Sequence, residues 1–85
     1  MIEGLHKALA GLQGITVELR GSGKSAFLFV KSSRRAVEAS LSGRLLWVEF
    51  WNSADEENDD AAVRDAHFEC LADATKAIAE WLYSN

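Results

Sequence analysis

Residues 44–52 read Arg-Leu-Leu-Trp-Val-Glu-Phe-Trp-Asn and hold two of the three tryptophans of the 85-residue chain. As a helix this segment would have no continuous polar side, because large apolar side chains would surround its axis. As a strand it separates into two faces, since successive side chains point to opposite sides of a sheet. One face is apolar, with Leu46, Val48 and Phe50, and the other mixes rings with a charge, with Leu45, Trp47, Glu49 and Trp51. We therefore predict a central strand that buries its apolar face.

Three segments before this strand also alternate with a period of two, at 15–20, 25–31 and 37–41. The connections between them are short and polar: Gly21-Ser22-Gly23-Lys24, Ser32-Ser33-Arg34-Arg35 and Ser42-Gly43. None of these connections is long enough for a crossover helix. The pattern predicts a four-stranded antiparallel meander.

Helical spacing marks both ends of the chain. The spacing predicts a short amphipathic helix over residues 1–12, and Gly14, or alternatively Gly11, supplies the left-handed residue that ends it. Residues 71–83 form a second amphipathic helix, in which Asp73 suits the positive end of the helix dipole. The segment before it allows two interpretations, a short fifth strand at 61–68 or an earlier start of the C-terminal helix.

The predicted fold is a single α+β domain over residues 1–85, in the order α-β-β-β-β-α. Both helices pack on one face of the sheet, because their apolar stripes must be buried together. The predicted core on that face is Ile2, Leu5, Leu9, Val17, Leu19, Leu28, Val30, Val37, Leu41, Leu46, Val48, Phe50, Ile78 and Leu82. The reverse face would carry Glu18, Arg20, Phe27, Phe29, Glu38, Trp47, Glu49 and Trp51.

Charge is unevenly distributed along the chain. Residues 1–50 hold seven basic and four acidic residues, a net charge of +3, whereas residues 51–85 hold two basic and nine acidic residues, a net charge of −7. Such an acidic half disfavours nucleic-acid phosphates and favours basic protein partners or solubility. Much of the acidity lies in the loop of residues 52–60. The meander brings this loop to the same sheet end as Arg34 and Arg35, which predicts partial neutralisation there.

The compartment is predicted to be the cytoplasm. The lone Cys70 rules out an internal disulfide and agrees with a reducing environment. Residues 1–14 lack the basic flank and apolar block of a signal peptide, and no segment approaches the roughly 18 apolar residues of a membrane span.

Several short patterns resemble known sites and fail their requirements. Gly23-Lys24-Ser25 resembles the end of a Walker A loop, but that motif needs a glycine in place of Glu18 and a helix after the serine, where this chain is strand-like. The acidic run at 55–60 resembles a calcium loop, but Asp60 and Ala66 stand where an EF-hand requires glycine and glutamate. We predict an ordinary turn and a solvated loop.

His67 and Cys70 are the candidates for metal or catalytic chemistry. They would share a face if residues 67–70 were helical, but with His6 remote in sequence they cannot complete a four-ligand zinc site. No orienting residue or family signature supports a nucleophile and base. We predict no enzyme activity, no cofactor and no metal, and Cys70 as a core or helix-start residue.

The reverse face favours a protein-binding module of bacterial type, because an open aromatic patch on a small protein usually marks an interface. The predicted partner-binding residues are Phe27, Phe29, Trp47, Glu49 and Trp51. The partner would be another protein or a second copy in a homodimer. In size and acidity the chain is similar to inhibitor and immunity proteins that mask basic enzymes. The competing interpretation is that the loop after Asn52 covers these rings and forms a second small core.

Nucleic-acid binding is the alternative function. Phe27-Leu28-Phe29-Val30 resembles part of the aromatic strand of RNA-recognition motifs, in which two rings stack on bases. The binding residues would be Phe27, Phe29 and Trp47 with Lys24, Lys31 and Arg44. The acidic sequence pI of about 5.0 opposes this function.

Overall fold

A computed structural model describes residues 2–52 and 62–84, and it confirms the α+β fold. The elements are α1 (Ile2–Ala10), β1 (Thr16–Arg20), β2 (Phe27–Lys31), β3 (Ala36–Ser42), β4 (Leu45–Trp51), β5 (Arg64–Phe68) and α2 (Leu71–Tyr83), with a 3₁₀ turn at Gly23–Ser25. The five strands form one antiparallel meander in chain order. The segment before α2 is therefore the fifth strand. Residues 53–61 lie outside the described residues, and with them the predicted solvated acidic loop and its predicted proximity to Arg34 and Arg35.

A two-residue turn sets the register between β3 and β4. Ser42 pairs with Leu45, and Gly43, the first of the two turn residues, has a φ of 63°. A positive φ at this position is what a type II′ hairpin requires, and glycine adopts it without steric cost. Every later pair of the two strands follows from this turn, including Glu38 opposite Glu49.

The main core lies between the sheet and both helices, as predicted. Leu5 and Leu9 of α1 and Ala74, Ile78 and Leu82 of α2 are buried against one face of the sheet. The buried sheet residues below them are Leu28, Val30, Val37, Ala39, Leu46, Val48 and Phe50. Ile2 and Val17, also predicted core residues, are partly buried at its margin.

Two predicted core residues are not buried. Leu19 and Leu41 lie on the helix side of the sheet by strand alternation, yet 52% of Leu19 and 49% of Leu41 is exposed. Both line an open groove beside Ile2 and Glu3, at the N-terminal end of α1. The prediction was wrong here because α1 spans nine residues, about 14 Å at 1.5 Å per residue, and its buried leucines cover a different part of the sheet.

The C-terminal end of α2 is anchored by the side chains around Trp81. The Trp81 indole N–H donates to the backbone oxygen of Trp51 at 3.0 Å, and its ring packs edge-to-face on Phe50 with centroids 5.4 Å apart. The Arg35 guanidinium lies 4.2 Å over the same ring and donates to the backbone oxygen of Trp81. A cation at this end also complements the helix dipole, so these contacts fix α2 to the sheet.

The turn between β1 and β2 yields a prediction about stability. Gly21 has a φ of 75°, and a Cβ placed there would lie 2.7 Å from the backbone oxygen of Ser25. Gly43 also has a positive φ, but a Cβ there meets nothing within 4 Å. We expect Gly43→Ala to lower the free energy of unfolding by about 1–3 kcal/mol, the cost of a non-glycine residue at this sparsely populated positive φ. Gly21→Ala is expected to cost roughly 1 kcal/mol more, since backbone must also move. Urea unfolding of both variants measures the difference, and equal losses would contradict the close contact.

Candidate protein-binding face

Two of the predicted partner-binding residues lie in a second core on the reverse face of the sheet. Phe29 is 4% exposed and Trp51 is 8% exposed, and they cluster with Ala36 while Ala62 packs against them. The Arg20 guanidinium lies 4.3 Å over the Phe29 ring. Phe29 and Trp51 are thus covered, which leaves Phe27, Trp47 and Glu49 as the members of the predicted set with accessible surface.

The accessible rings form an aromatic row, which we define as Phe27, Trp47 and His67. Phe27 pairs with Ser40, Ser40 pairs with Trp47, and Trp47 pairs with His67, so the row crosses four adjacent strands. Trp47 and His67 stack with centroids 6.1 Å apart and an interplanar angle of 10°. Phe27 and Trp47 are half-buried and His67 is exposed. Strand pairing in the sheet therefore fixes the position of these accessible rings on its surface.

A row of carboxylates lies beside the aromatic row, and we call Glu38, Glu49 and Asp65 the acidic strip. Glu38 is directly opposite Glu49 across β3 and β4, and Glu49 is directly opposite Asp65 across β4 and β5. Directly opposed residues have Cβ atoms about 4.5–5.5 Å apart, and like charges at that spacing destabilise a sheet. The strip therefore concentrates negative charge on a half-exposed surface.

Over the whole reverse face acidic residues outnumber basic ones, although the charged residues outside the strip are Glu18, Arg20 and Lys31. By strand alternation its ionised residues are Glu18, Glu38, Glu49, Asp65, Arg20 and Lys31. Acids outnumber bases four to two, and Arg20 contacts Glu18 at 3.3 Å. A cationic surface would therefore be attracted to this face.

The cations proposed for nucleic-acid binding are not gathered on this face. Lys24 and Arg44 lie in turns at one end of the sheet, whereas Lys31 is the last residue of β2 at the other end. The acidic strip crosses the sheet between these ends, and Phe29 is buried. This arrangement opposes a nucleic-acid backbone, whose affinity depends on clustered cations.

The structure separates His67 from Cys70. His67 belongs to β5 and stacks on Trp47, while Cys70 is the N-cap residue of α2, so the two do not share a helical face. Cys70 is the predicted helix-start residue, and it is exposed. Within residues 2–52 and 62–84, no group of three or more His, Cys, Asp or Glu side chains is placed to hold a metal ion.

The acidic strip was not predicted from the sequence, although the pairing of Glu38 with Glu49 could have been predicted from a turn. The two-residue turn at Gly43 sets Ser42 opposite Leu45 and therefore Glu38 opposite Glu49. No comparable signal locates Asp65, because its strand follows a long connection that leaves the register open.

Comparisons of the chain with protein-family models, with curated proteins and with solved structures returned no match. No helix in the described part of the chain is long and apolar enough to cross a bilayer. The chemistry of the reverse face is therefore the basis for assigning a function.

Proposed function

We propose that this protein is a non-enzymatic binding module whose reverse face docks onto a basic surface of another protein. The observation that carries the proposal is the acidic strip, three carboxylates at directly paired positions on three neighbouring strands. The cytoplasm is the proposed compartment, and an inhibitor or immunity protein that masks a basic enzyme is the proposed type of role.

The energetics of the strip support a functional origin. The directly opposed charges of Glu49 and Asp65 cost about 0.2–1 kcal/mol, and a small domain has little stability to spare. Lysine or arginine side chains of a partner would turn this repulsion into attraction. The neighbouring aromatic row adds apolar contact area of the kind that dominates binding energy at interfaces.

The same charges favour a different protein over a second copy of this chain. A homodimer formed face to face would bring two acidic strips close together, and like-charge juxtaposition is strongly unfavourable in an interface. A basic partner meets no such penalty. The proposal therefore predicts that binding weakens as salt rises, because screening reduces attraction between opposite charges.

Glu49→Gln provides a test in which stability and binding change in opposite directions. Removing the central charge of the strip is expected to raise the free energy of unfolding by about 0.2–1 kcal/mol at low salt, with a smaller gain at high salt. Glu69→Gln is the matched control, since Glu69 is exposed and lies outside the strip. Urea unfolding at two salt concentrations measures both variants. A loss of stability in Glu49→Gln would show that Glu49 makes favourable contacts, which would contradict the claim that repulsion in the strip destabilises the sheet.

Binding is tested by capture from a lysate of the source cells, followed by affinity measurement with the purified partner. We expect a partner with a basic surface, whose affinity falls at least about tenfold with Glu49→Lys and roughly 30-fold with Trp47→Ala. Glu69→Lys is the control and should change the affinity less than about twofold. Sedimentation of the protein alone should give a monomer. A dimer that Trp47→Ala dissociates, or a partner whose affinity ignores Glu49→Lys, would contradict the proposal.

A further inference from the structure

An apolar opening lies on the side of the sheet opposite the acidic strip. It is a groove of about 480 Å³ between the N-terminal end of α1 and the turn that joins β1 to β2. Its lining residues are Ile2, Glu3, Leu19, Gly21, Ser22, Gly23, Lys24, Ala26 and Leu41. This volume falls within the roughly 300–1,000 Å³ typical of small-molecule sites.

The floor of the groove is apolar surface that the fold leaves uncovered. Leu19 and Leu41 are each about half exposed, and Ala26 directly precedes β2, the strand that lies between theirs. Ile2, partly buried at the edge of the main core, forms the apolar wall on the α1 side. Contiguous apolar surface of this kind on a small protein is typical of a ligand site.

The opposite wall is built from backbone with a defined shape. Gly21 and Gly23 have φ values of 75° and 58°, and the 3₁₀ turn is closed by hydrogen bonds from Ser25 N to Ser22 O and from Ala26 N to Gly23 O. The backbone oxygen of Ser25 lies so close to Gly21 that a Cβ there would be only 2.7 Å away. Backbone hydrogen bonds therefore fix the conformation of this wall, and no side chain projects from it at Gly21 or Gly23.

The charges at the groove favour an anionic head group. Lys24 lines the groove and makes no ion pair with any residue that the structure describes. The N-terminal end of α1, which carries the positive end of the helix dipole, borders the same opening. Glu3 also lines the groove and reduces this positive character, so one carboxylate is a better match than a doubly charged group.

We propose that this groove binds an amphipathic carboxylate, with an alkyl chain against Leu19, Leu41 and Ile2 and its carboxylate at Lys24. A medium-chain fatty acid has this chemistry. The alkyl chain would bury the two half-exposed leucines, and the head group would pair with the lysine at the rim. The site is independent of the proposed protein-binding face, because the two lie on opposite sides of the sheet.

The test is a titration of the full-length protein with decanoate below its micelle concentration, followed by methyl NMR. We expect saturable shifts of the Leu19, Leu41, Ile2 and Ala26 methyl signals. Leu41→Ser should weaken binding at least tenfold. Because Leu41 is half exposed, this variant should retain the fold, and its circular dichroism spectrum checks that. Val63→Ser replaces another exposed apolar residue outside the groove and should leave binding unchanged.

The head group is tested with three ligands of equal chain length. In the wild type, decanoate should bind more tightly than decanol, and decyltrimethylammonium should bind most weakly. Lys24→Gln should abolish the preference for decanoate over decanol, whereas Lys76→Gln, which removes an exposed lysine on α2, should preserve it. Non-saturating shifts, shifts that survive Leu41→Ser unchanged, or equal wild-type affinity for decanoate and decanol would each overturn the proposal.

Discussion

Phe50→Ala is expected to lower the free energy of unfolding by about 3–5 kcal/mol, the cost of emptying a buried aromatic site. Phe50 is fully buried in the main core, and its ring packs edge-to-face on Trp81 at 5.4 Å. The Arg64 guanidinium also lies 4.3 Å over its ring. A domain of 85 residues has a total stability of about 4–13 kcal/mol. The variant is therefore expected to lose a substantial part of that stability, and it unfolds if the total lies near the lower end of this range.

Two matched variants separate burial from the loss of a ring. Phe27→Ala removes the same side chain from the half-buried reverse face of the same sheet, and we expect it to cost about 1 kcal/mol or less. Phe50→Leu keeps most of the volume but loses the ring contacts with Trp81, which predicts a loss of roughly 1–2 kcal/mol. Urea unfolding followed by far-ultraviolet circular dichroism avoids the altered tryptophan fluorescence. Equal losses of stability for Phe50→Ala and Phe27→Ala would contradict the position of the main core on the Phe50 side of the sheet.

The second large effect is expected from Leu28→Ala, which should cost about 2–5 kcal/mol. Leu28 and Leu19 pair directly across β1 and β2 on the same face of the sheet, but Leu28 is 0% exposed and Leu19 is 52% exposed. Leu19→Ala removes the same atoms and should cost less than about 1 kcal/mol, because the site already contacts water. Leu28 and Leu19 share residue type, strand pairing and sheet face. The difference in stability loss between the two variants therefore measures the effect of coverage by the helices.

Thermal or urea unfolding of the two leucine variants measures that difference under one set of conditions. Leu28→Ala is expected to lose at least about twice as much stability as Leu19→Ala, because only the enclosed site of Leu28 is left with a cavity. If Leu19→Ala is as costly as Leu28→Ala, the groove must be closed in solution and Leu19 must belong to the main core. That result would also remove the site proposed for an amphipathic carboxylate.

Local sequence patterns predict some features of the candidate binding face and not others. Alternation placed Phe27, Trp47 and Glu49 on one face, and a short turn fixes the pairing of Glu38 with Glu49. These are properties of neighbouring strands and short connections, so they are encoded locally. The position of Asp65 opposite Glu49 depends on the pairing of two strands that residues 52–63 separate in the sequence, and no local rule specifies it.

The order of elements from α1 to β4, the meander they form and the two faces of those strands follow from the amino-acid sequence, because hydrophobic periodicity and turn residues act over a few positions. The sequence left β5 open between a strand and an early start of α2. Which residues of a face are covered depends on the lengths and placement of the layers packed on it. Leu19 and Leu41 share the alternation of the core yet lie beside a groove, while Phe29 and Trp51 share the reverse face with Trp47 yet lie in a second core. Burial is a property of the assembled layers, so only the tertiary structure separates the buried rings from those that a partner could contact.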